Sequence, residues 1–284
     1  MDWKKIKKIL IIALIVANVV LFCYSHYNNF RLRNESTRMD FVKEVTALLA
    51  EKNISLDTKI PRSTKKLPSV LVSFETSTEE DIKERYFDGK GKVERPSTDL
   101  AEISLNDEYI NLVNGRRVYY ENRKAENNYN IKNLEEAQKI ATKFLLDKKY
   151  DTRDIYLSYY EEADGKYILN YTKVFDNIPV ESSYTNFIID KRGVMSMDRL
   201  WLDVLDKSEQ KIFLSPAPRA LLSLLNKSEY YNKTIEKITP CFYFNPEDQG
   251  YIEDITRAVN GRAIPAWKVK FTDGEYTVLS NYWA

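Results

Sequence analysis

The chain has 284 residues, of which 43% are hydrophobic, 13% aromatic and 30% charged. This composition suffices for one large or two medium folded domains and excludes a chain dominated by disorder, because such chains contain few apolar residues. The formal net charge is +1, and the first eight residues carry +3, which leaves about −2 for the remainder. A near-neutral body excludes the strongly basic surface that marks a nucleic-acid-binding protein.

The chain opens with MDWKKIKKILIIALIVANVVLFCYSHYNNF, in which residues 9–27 form an almost uninterrupted apolar run. Two interpretations compete, since a secretory signal would be removed whereas an anchor would stay in the membrane. No small-x-small cleavage site follows the run, and Phe22 precedes Cys23 where a lipoprotein signal needs a small residue. The run is close to the roughly 20 residues of a transmembrane helix, so we predict a retained span over residues 9–27.

The lysine cluster lies in residues 1–8, before the span. The positive-inside rule therefore places the N-terminus in the cytoplasm and the rest of the chain outside. We predict a single-pass protein of the cell membrane with an extracytoplasmic body. The two cysteines, Cys23 and Cys241, cannot plausibly form a disulfide, and an extracytoplasmic body without disulfides is typical of a Gram-positive host.

Three residues of the span are candidate partner contacts. Ala13 and Ala17 are four residues apart and share one helix face, and Asn18 lies next to that face. Small residues at this spacing let two helices approach closely, and a membrane Asn can hydrogen-bond to a partner helix. The alternative is that alanine is common in spans and that Asn18 is tolerated by chance. We predict that Ala13, Ala17 and Asn18 contact the span of another protein.

The body is predicted to be α+β, with helices followed by antiparallel strands. Apolar periodicity predicts three helices, at residues 37–52, 133–147 and 216–226. Candidate caps precede them: Thr37 with Asp40, Asn133 with Glu136, and Ser215. The charged stretch 77–99 is predicted to be a solvent-facing connection.

Alternating segments predict strands at residues 69–74, 101–121 (two strands), 155–160, 166–175, 184–190, 194–204, 239–244, 250–258, 264–272 and 275–282. Hairpin turns are expected at Asn114-Gly115, Asp164-Gly165 and Asp273-Gly274. An Ile-Pro-small triplet followed by an alternating strand occurs in both 175–193 and 259–275, which indicates a duplication. We therefore predict two α+β units, at residues 28–130 and 131–284, with a boundary near residue 208 as the alternative.

The body contains few residues that carry common catalytic chemistry. His26 is the single histidine and lies at the membrane edge, which excludes histidine-dependent triads and zinc sites from the body. No phosphate-binding loop or Gly-rich dinucleotide turn is present. Ser63-x-x-Lys66 matches a motif of penicillin-recognising enzymes, but the companion motifs of those enzymes are absent and prolines flank the match.

Adjacent carboxylates and strand tyrosines remain to be interpreted. The acidic clusters at 79–81 and 161–162 are interpreted as solvated surface, because neighbouring strand residues point to opposite faces. The tyrosines are interpreted as sheet packing, with a peptide or glycan platform left open. We predict a non-enzymatic binding protein that uses no cofactor, metal or small-molecule substrate and has no nucleic-acid partner.

The start MDWKKIKKI, the single span, the helix after it and the late strand Ile-Pro-Ala-Trp-x-Val resemble the YycI regulatory proteins. These belong, with the related YycH proteins, to the WalK–WalR (YycG–YycF) two-component system of low-GC Gram-positive bacteria. The resemblance implies a bitopic protein that associates with a YycH-like membrane protein and a sensor histidine kinase, partly through membrane helices. It further implies modulation of the kinase, and hence of cell-wall metabolism, in a direction that the sequence does not set.

The body also resembles the PepSY-like helix-and-sheet units of propeptide and inhibitor domains. This second resemblance implies an alternative function, an extracytoplasmic inhibitor or binding module for a cell-surface protease or wall hydrolase. Both functions depend on binding rather than on catalysis.

Overall fold

The computed structural model of the chain describes residues 3–63, 65–124, 126–247 and 259–280. The α-helices in this part are α1 (Trp3–Ser36), α2 (Met39–Glu51), α3 (Glu79–Phe87), α4 (Leu134–Asp147) and α5 (Ala217–Leu221), followed by 3-10 helices at Leu222–Asn226 and Ser228–Tyr230. The strands are β1 (Ser55–Leu56), β2 (Lys66–Phe74), β3 (Lys92–Ser97), β4 (Leu100–Leu105), β5 (Glu108–Val113), β6 (Arg117–Asn122), β7 (Ile155–Ala163), β8 (Lys166–Phe175), β9 (Ile178–Asp190), β10 (Gly193–Leu200), β11 (Leu202–Phe213), β12 (Thr234–Tyr243), β13 (Asn260–Phe271) and β14 (Tyr276–Ser280).

The predicted α+β class is confirmed. An N-terminal helix contains the apolar segment Ile6–Ser25, whose mean hydropathy of 2.5 and length of 20 residues suffice to cross a membrane. The helices and mainly antiparallel strands of the body follow it.

The chain forms two compact units. The first comprises Met1–Lys66, Phe213–Ile238 and Trp267–Ala284, and the second comprises Leu67–Ile212 and Thr239–Ala266. Each unit is thus built from segments that are distant in sequence. The duplication boundary near residue 130 concerns sequence ancestry rather than compactness, and it stays a prediction.

The second unit contains a broad antiparallel sheet. Its strands are hydrogen-bonded in the order β7-β8-β9-β10-β6-β5-β4-β3. One parallel pair departs from the predicted antiparallel pattern: β9 also pairs with β12, where Phe242 lies opposite Val180. Residues 191–233 connect these two strands, and a parallel pair requires such a long connection.

Helices α4 and α3 cover one face of this sheet. Ala137, Ala141 and Leu145 recur every four residues along α4 and are fully buried, and α4 contacts β8, β9 and β10. Helix α3 contacts β4 and contributes the buried Ile82 and Tyr86 to the same core. Because strand side chains alternate, these two helices determine which residues of every strand in the sheet are buried.

A smaller core lies around the pairing of β2 with β13. The rings of Phe74 and Phe244 lie there with their centroids 5.7 Å apart. The Phe244 ring approaches Gly261 so closely that a Cβ at that position would lie 2.3 Å from Phe244 Cε2. Glycine is therefore required at residue 261 because the backbone approaches an aromatic ring.

The first unit packs α2 against α5 and the following 3-10 helix. Val45 and Leu49 form its buried stripe, as the predicted helix requires. Strand β1 pairs in parallel with β12 through Ser55 and Thr234. Trp267 is 2% exposed, and its indole Nε1 donates to the backbone oxygen of Ser215 at 2.6 Å.

The three predicted hairpin turns are confirmed, and Asp273-Gly274 connects the paired strands β13 and β14. Asn114 and Gly115 both have left-handed φ values, of 51° and 63°, and connect β5 to β6. Asp164 and Gly165 do the same between β7 and β8, at 53° and 70°. Residues 101–121 contain parts of three strands rather than the two predicted, because Asn106 at φ 54° makes a further turn between β4 and β5.

The prediction of a solvent-facing connection over residues 77–99 is wrong. The segment contains α3 and β3, and α3 begins with a capping box in which the Thr78 hydroxyl accepts from the Asp81 N–H and the Asp81 carboxylate accepts from the Thr78 N–H. Most charged residues of α3 are at least partly exposed, whereas Ile82, Tyr86 and Phe87 are buried. The acidic cluster at 79–81 is thus the first turn of a helix, where carboxylates are stabilised.

One of the predicted caps is confirmed and two are wrong. The Asn133 side chain accepts from the Glu136 N–H at 3.0 Å at the start of α4. Helix α2 begins after Arg38 rather than Thr37, because α1 runs to Ser36 and leaves only a short turn. Ser215 caps no helix: α5 begins after Pro216, and a 3-10 helix continues it to residue 226. The predicted strand 250–258 lies outside the described residues.

A half-buried carboxylate in the sheet makes the stability of the second unit pH-dependent. Glu108 accepts from the Tyr120 hydroxyl at 2.5 Å and from Lys124 Nζ at 2.7 Å. Burial by itself would raise the pKa of Glu108, but these two hydrogen bonds outweigh it and lower the pKa below its ordinary value of 4.5. A carboxylate with a lowered pKa stabilises the fold above its unfolded pKa, and this stabilisation is lost as the pH falls through the folded pKa.

We expect Glu108→Gln to lower the free energy of unfolding at pH 7 by about 1–3 kcal/mol, because it removes a charged acceptor of two hydrogen bonds. The difference from the wild type should shrink as the pH falls from about 5 to 3. Chemical denaturation of the full chain in detergent measures both effects, with the exposed Glu102→Gln as control. A constant difference at all pH values would contradict the prediction.

Candidate functional site

The membrane-spanning segment is part of a much longer helix. Helix α1 has 34 residues, which at ~1.5 Å per residue corresponds to about 51 Å, whereas a bilayer core is about 30 Å thick. The apolar segment ends at Ser25, and the helix continues without a break to Ser36. The chain therefore leaves the predicted membrane as a helix rather than as a flexible linker.

The predicted contact residues lie on the exposed surface of this helix. No residue of the apolar segment is buried within the structure, so Ala13, Ala17 and Asn18 are all open to a partner or to lipid. The Asn18 side-chain nitrogen donates to the Leu14 backbone oxygen, four residues earlier, at 2.9 Å. This bond satisfies one donor of the side-chain amide inside its own helix.

The internal bond refines the prediction for Asn18. Its amide oxygen has no hydrogen-bond partner among the described residues, and it is an acceptor with two lone pairs. A partner helix that bonds to this oxygen must therefore supply a donor. The partner contact of Ala13, Ala17 and Asn18 stays a prediction.

A tight turn joins the long helix to α2 within the first unit. The Arg38 backbone N–H donates to the Glu35 oxygen at 3.1 Å, and the Val42 N–H donates to the Arg38 oxygen at 3.1 Å. Ser36 is buried at this turn, and α1 and α2 contact each other. Because α2 is anchored by the buried Val45 and Leu49, a rotation of α1 would act directly on a packed helix.

A buried cationic cluster in the second unit was not predicted from the sequence. The Arg199 side chain is 2% exposed, and its Nε donates to Glu75 Oε2 at 2.8 Å. Its Nη1 donates to the Thr185 hydroxyl at 2.8 Å. The guanidinium lies 4.4 Å from the ring centroids of both Tyr150 and Trp201, so this charge has both polar and aromatic partners.

A second buried cation lies on the same indole. Lys173 is 7% exposed, pairs with Asp154, and lies 3.4 Å from Asp203 Oδ1. Its Nζ is 5.4 Å from the Trp201 ring centroid. Trp201 thus contacts both Lys173 and Arg199. Lys173 lies on β8 and Arg199 lies on β10. Their ion pairs therefore link the ends of different strands to residues elsewhere in the chain.

A pair of buried phenols adjoins this cluster. The hydroxyls of Tyr86 and Tyr150 are 3.1 Å apart, and Arg85 lies 4.2 Å from the Tyr150 ring centroid. Burial raises the pKa of both tyrosines, so both are neutral at physiological pH. Neutral phenols beside paired ions can position each other by hydrogen bonds, and such an arrangement rigidifies a fold.

The catalytic motifs considered from the sequence do not acquire a catalytic geometry. Lys66 opens strand β2 and lies 4.3 Å from the Phe213 ring centroid, so the Ser63-x-x-Lys66 match does not open a helix. Glu79 forms a two-point ion pair with Arg95. Among the described residues, no three His, Cys, Asp or Glu side chains are grouped so that they could hold a metal ion.

No family model matches the chain, and no curated protein matches it. Solved structures do match. The chain is similar to YycH from Bacillus subtilis over 78% of its own length and 54% of that chain, with 15% identity and a TM-score of 0.50. An uncharacterized protein from Eubacterium rectale matches 75% of the chain and 82% of its own length, with 11% identity and a TM-score of 0.46.

The C-terminal domain of YpeB from Bacillus megaterium matches 86% of the chain and 98% of its own length, with 13% identity and a TM-score of 0.34. At these identities, the similarity to YycH concerns the fold alone. The chain spans about half the length of the YycH structure that it matches.

The buried ion pair generates a stability prediction. We expect Arg199→Met to lower the free energy of unfolding by about 2–4 kcal/mol, because it leaves the Glu75 carboxylate without its partner. Glu75 is 27% exposed, which keeps the loss below that of a fully buried charge. The double variant Arg199→Met with Glu75→Gln should recover about half of the loss. Denaturant unfolding of the full chain in detergent measures both variants, and no recovery in the double variant would refute the pairing.

Proposed function

We propose that this chain is a non-enzymatic, single-pass membrane protein that modulates a sensor histidine kinase of the WalK (YycG) type, and through it cell-wall metabolism. Its N-terminus is cytoplasmic and its body extracytoplasmic. It acts together with a YycH-like membrane protein. The observation that carries the proposal is the combination of one helix able to span a membrane with a body whose fold is similar to that of YycH.

The non-enzymatic part of the proposal rests on the sequence. The single histidine, His26, directly follows the apolar segment, so the body has no imidazole to serve as a general base. The resemblance to YycI proteins at the N-terminus supports the regulatory part.

In the proposed mechanism, the span contacts the kinase or partner spans through Ala13, Ala17 and Asn18. Binding outside the cell changes the position or rotation of the body. The continuous helix α1 passes that change to the span because it has no flexible joint before Ser36. Such a coupling biases the kinase between two states by a few kcal/mol, as is typical of allosteric regulation.

Deletion of the chain tests the proposed function. The phosphorylated fraction of the response regulator should change at least severalfold, and replacement of residues 1–27 by an unrelated span should reproduce most of that change. An unchanged fraction in the deletion would overturn the proposal. An unchanged fraction with increased proteolysis or wall hydrolysis at the cell surface would instead favour the PepSY-like inhibitor.

Substitutions on one face of the span test the helix contact. Ala17→Leu with Asn18→Leu removes the close approach and the acceptor, which contribute about 0.6–2 kcal/mol, so association should weaken about 3- to 30-fold. Ile12→Leu with Val19→Leu changes the opposite face to the same residue type and serves as the control. Crosslinking to the kinase and the YycH-like protein measures association, and equal yields from both variants would argue against this face.

Insertions in the outer part of α1 test its stiffness. Each residue rotates the helix by about 100°, so two or five alanines inserted after residue 30 turn the body by about 200° or 140° relative to the span. Four or seven alanines return it to within about 40°. Kinase output should follow the rotation angle of the body. Insertion of two or five alanines should abolish the effect of the chain on kinase output, and insertion of four or seven alanines should preserve it. A response that depends only on inserted length would show a flexible tether.

A further inference from the structure

The broad sheet of the second unit has one uncovered face. Helices α3 and α4 pack on the opposite face, and no helix of this unit among the described residues covers the second one. We define this open face by a row of residues that lie opposite each other on neighbouring strands. The row is Glu102, Asn111, Tyr119, Asp198, Asn186, Asn170 and Tyr159.

Three exposed tyrosines and one exposed isoleucine lie on this face. Tyr109, Tyr119 and Tyr156 are 36%, 37% and 52% exposed. Ile188, on β9, is 39% exposed and lies on the same face. The neighbour of Tyr119, Tyr120, points into the core and is 2% exposed, which confirms the alternation. Tyrosine and isoleucine supply large contact areas, and tyrosine is enriched where proteins bind each other.

The central charges of the face are already paired. Arg117 forms a two-point ion pair with Asp198 at 2.8 and 2.7 Å. Arg123 pairs with Glu121 at 2.9 and 3.0 Å and lies over the Tyr109 ring. A partner that covers Arg117, Asp198, Glu121 and Arg123 therefore buries charges that are already paired, whereas burial of an unpaired charge would be costly.

The dimensions of the face fit a protein partner. The sheet has eight strands spaced about 4.8 Å apart, and each strand contributes about six residues with a rise of ~3.3 Å. The face therefore has an area of roughly 700 Å². A stable protein interface needs about 800 Å² per partner. The depression between Tyr109 and Tyr119 has a volume of 240 Å³, below the roughly 300–1,000 Å³ of small-molecule sites.

We infer that the open face binds the folded extracytoplasmic domain of a second membrane-anchored protein; this inference rests on the proposed function. A single extended peptide would pair with a sheet edge rather than cover a face. The paired ions do not favour a lipid surface, which apolar side chains and unpaired cations would bind. Two proteins anchored in one membrane meet at high effective concentration, so an interface of this size suffices for their association.

Site-specific photocrosslinking of the full chain in cells tests the inference. A benzophenone amino acid replaces Tyr119 at the centre of the face. The control position is Lys139 of α4, which is 70% exposed and lies on the covered side of the same sheet. Mass spectrometry then identifies the adducts. We expect an adduct with the YycH-like protein or the kinase from residue 119 and none from residue 139.

Tyr109→Ala with Tyr119→Ala tests the same face without a probe. We expect at least tenfold less co-purification with the partner identified by crosslinking. Glu135→Ala with Lys139→Ala, which removes an exposed ion pair of α4, should have no effect. The thermal midpoint of each variant, measured in detergent, shows that the fold is retained.

The remaining outcomes separate this inference from the proposed function. An adduct only with a second copy of this chain, or only with wall glycan, would overturn the inference. The absence of any adduct, in cells where deletion of the chain still changes kinase output, would also overturn the inference. The proposed function would then stand. An adduct between residue 119 and a second anchored protein, without an effect of deletion on the kinase, would support the face and refute the kinase proposal.

Discussion

The packing of α4 against β8, β9 and β10 is the constraint on which the second unit depends. Ala137 and Ala141 are small enough to bring the helix close to the sheet, and Leu145 completes a fully buried stripe. Burial of a residue such as Leu145 stabilises a fold by about 1.5–3 kcal/mol. Once this helix covers one face, the alternation of the strands assigns every other residue to the core and its neighbours to the open face.

The same constraint explains the buried cations. Arg199 is two residues from Met197, which is fully buried under α4, so alternation directs the guanidinium into the unit. An isolated charge there would cost several kcal/mol, and the pairs with Glu75 and Thr185 and the rings of Tyr150 and Trp201 offset that cost. The cluster thus follows from the strand register.

The sequence predicted those helix ends and turns that are determined by neighbouring residues. The side chain of Asn133 caps α4, and the Asn114-Gly115 turn adopts the left-handed conformation that its residues favour. Helix α3 was missed because its mean composition is polar, although Ile82 and Tyr86 have helical spacing. The fold class was therefore predictable, whereas the parallel pairing of β9 with β12 depends on distant segments and has no local signal.

The candidate site was predicted only in part. The span is visible from composition, and Ala13 and Ala17 share a face by spacing alone. The bond from Asn18 to Leu14 depends on a side-chain rotamer, which a sequence pattern does not specify. The open face was hidden because its tyrosines occur on separate strands, and only the register of pairing brings them together.

The length of α1 also sets a height above the membrane. Eleven residues separate Ser25 from Ser36, which at ~1.5 Å each places the start of the turn into α2 no more than about 16 Å above the end of the apolar segment. In the predicted single-pass orientation, helix α2 therefore begins just above the lipid headgroups. Only the membrane-proximal layer of a neighbouring membrane protein lies at that level, so this end of the chain can reach stalks and juxtamembrane segments.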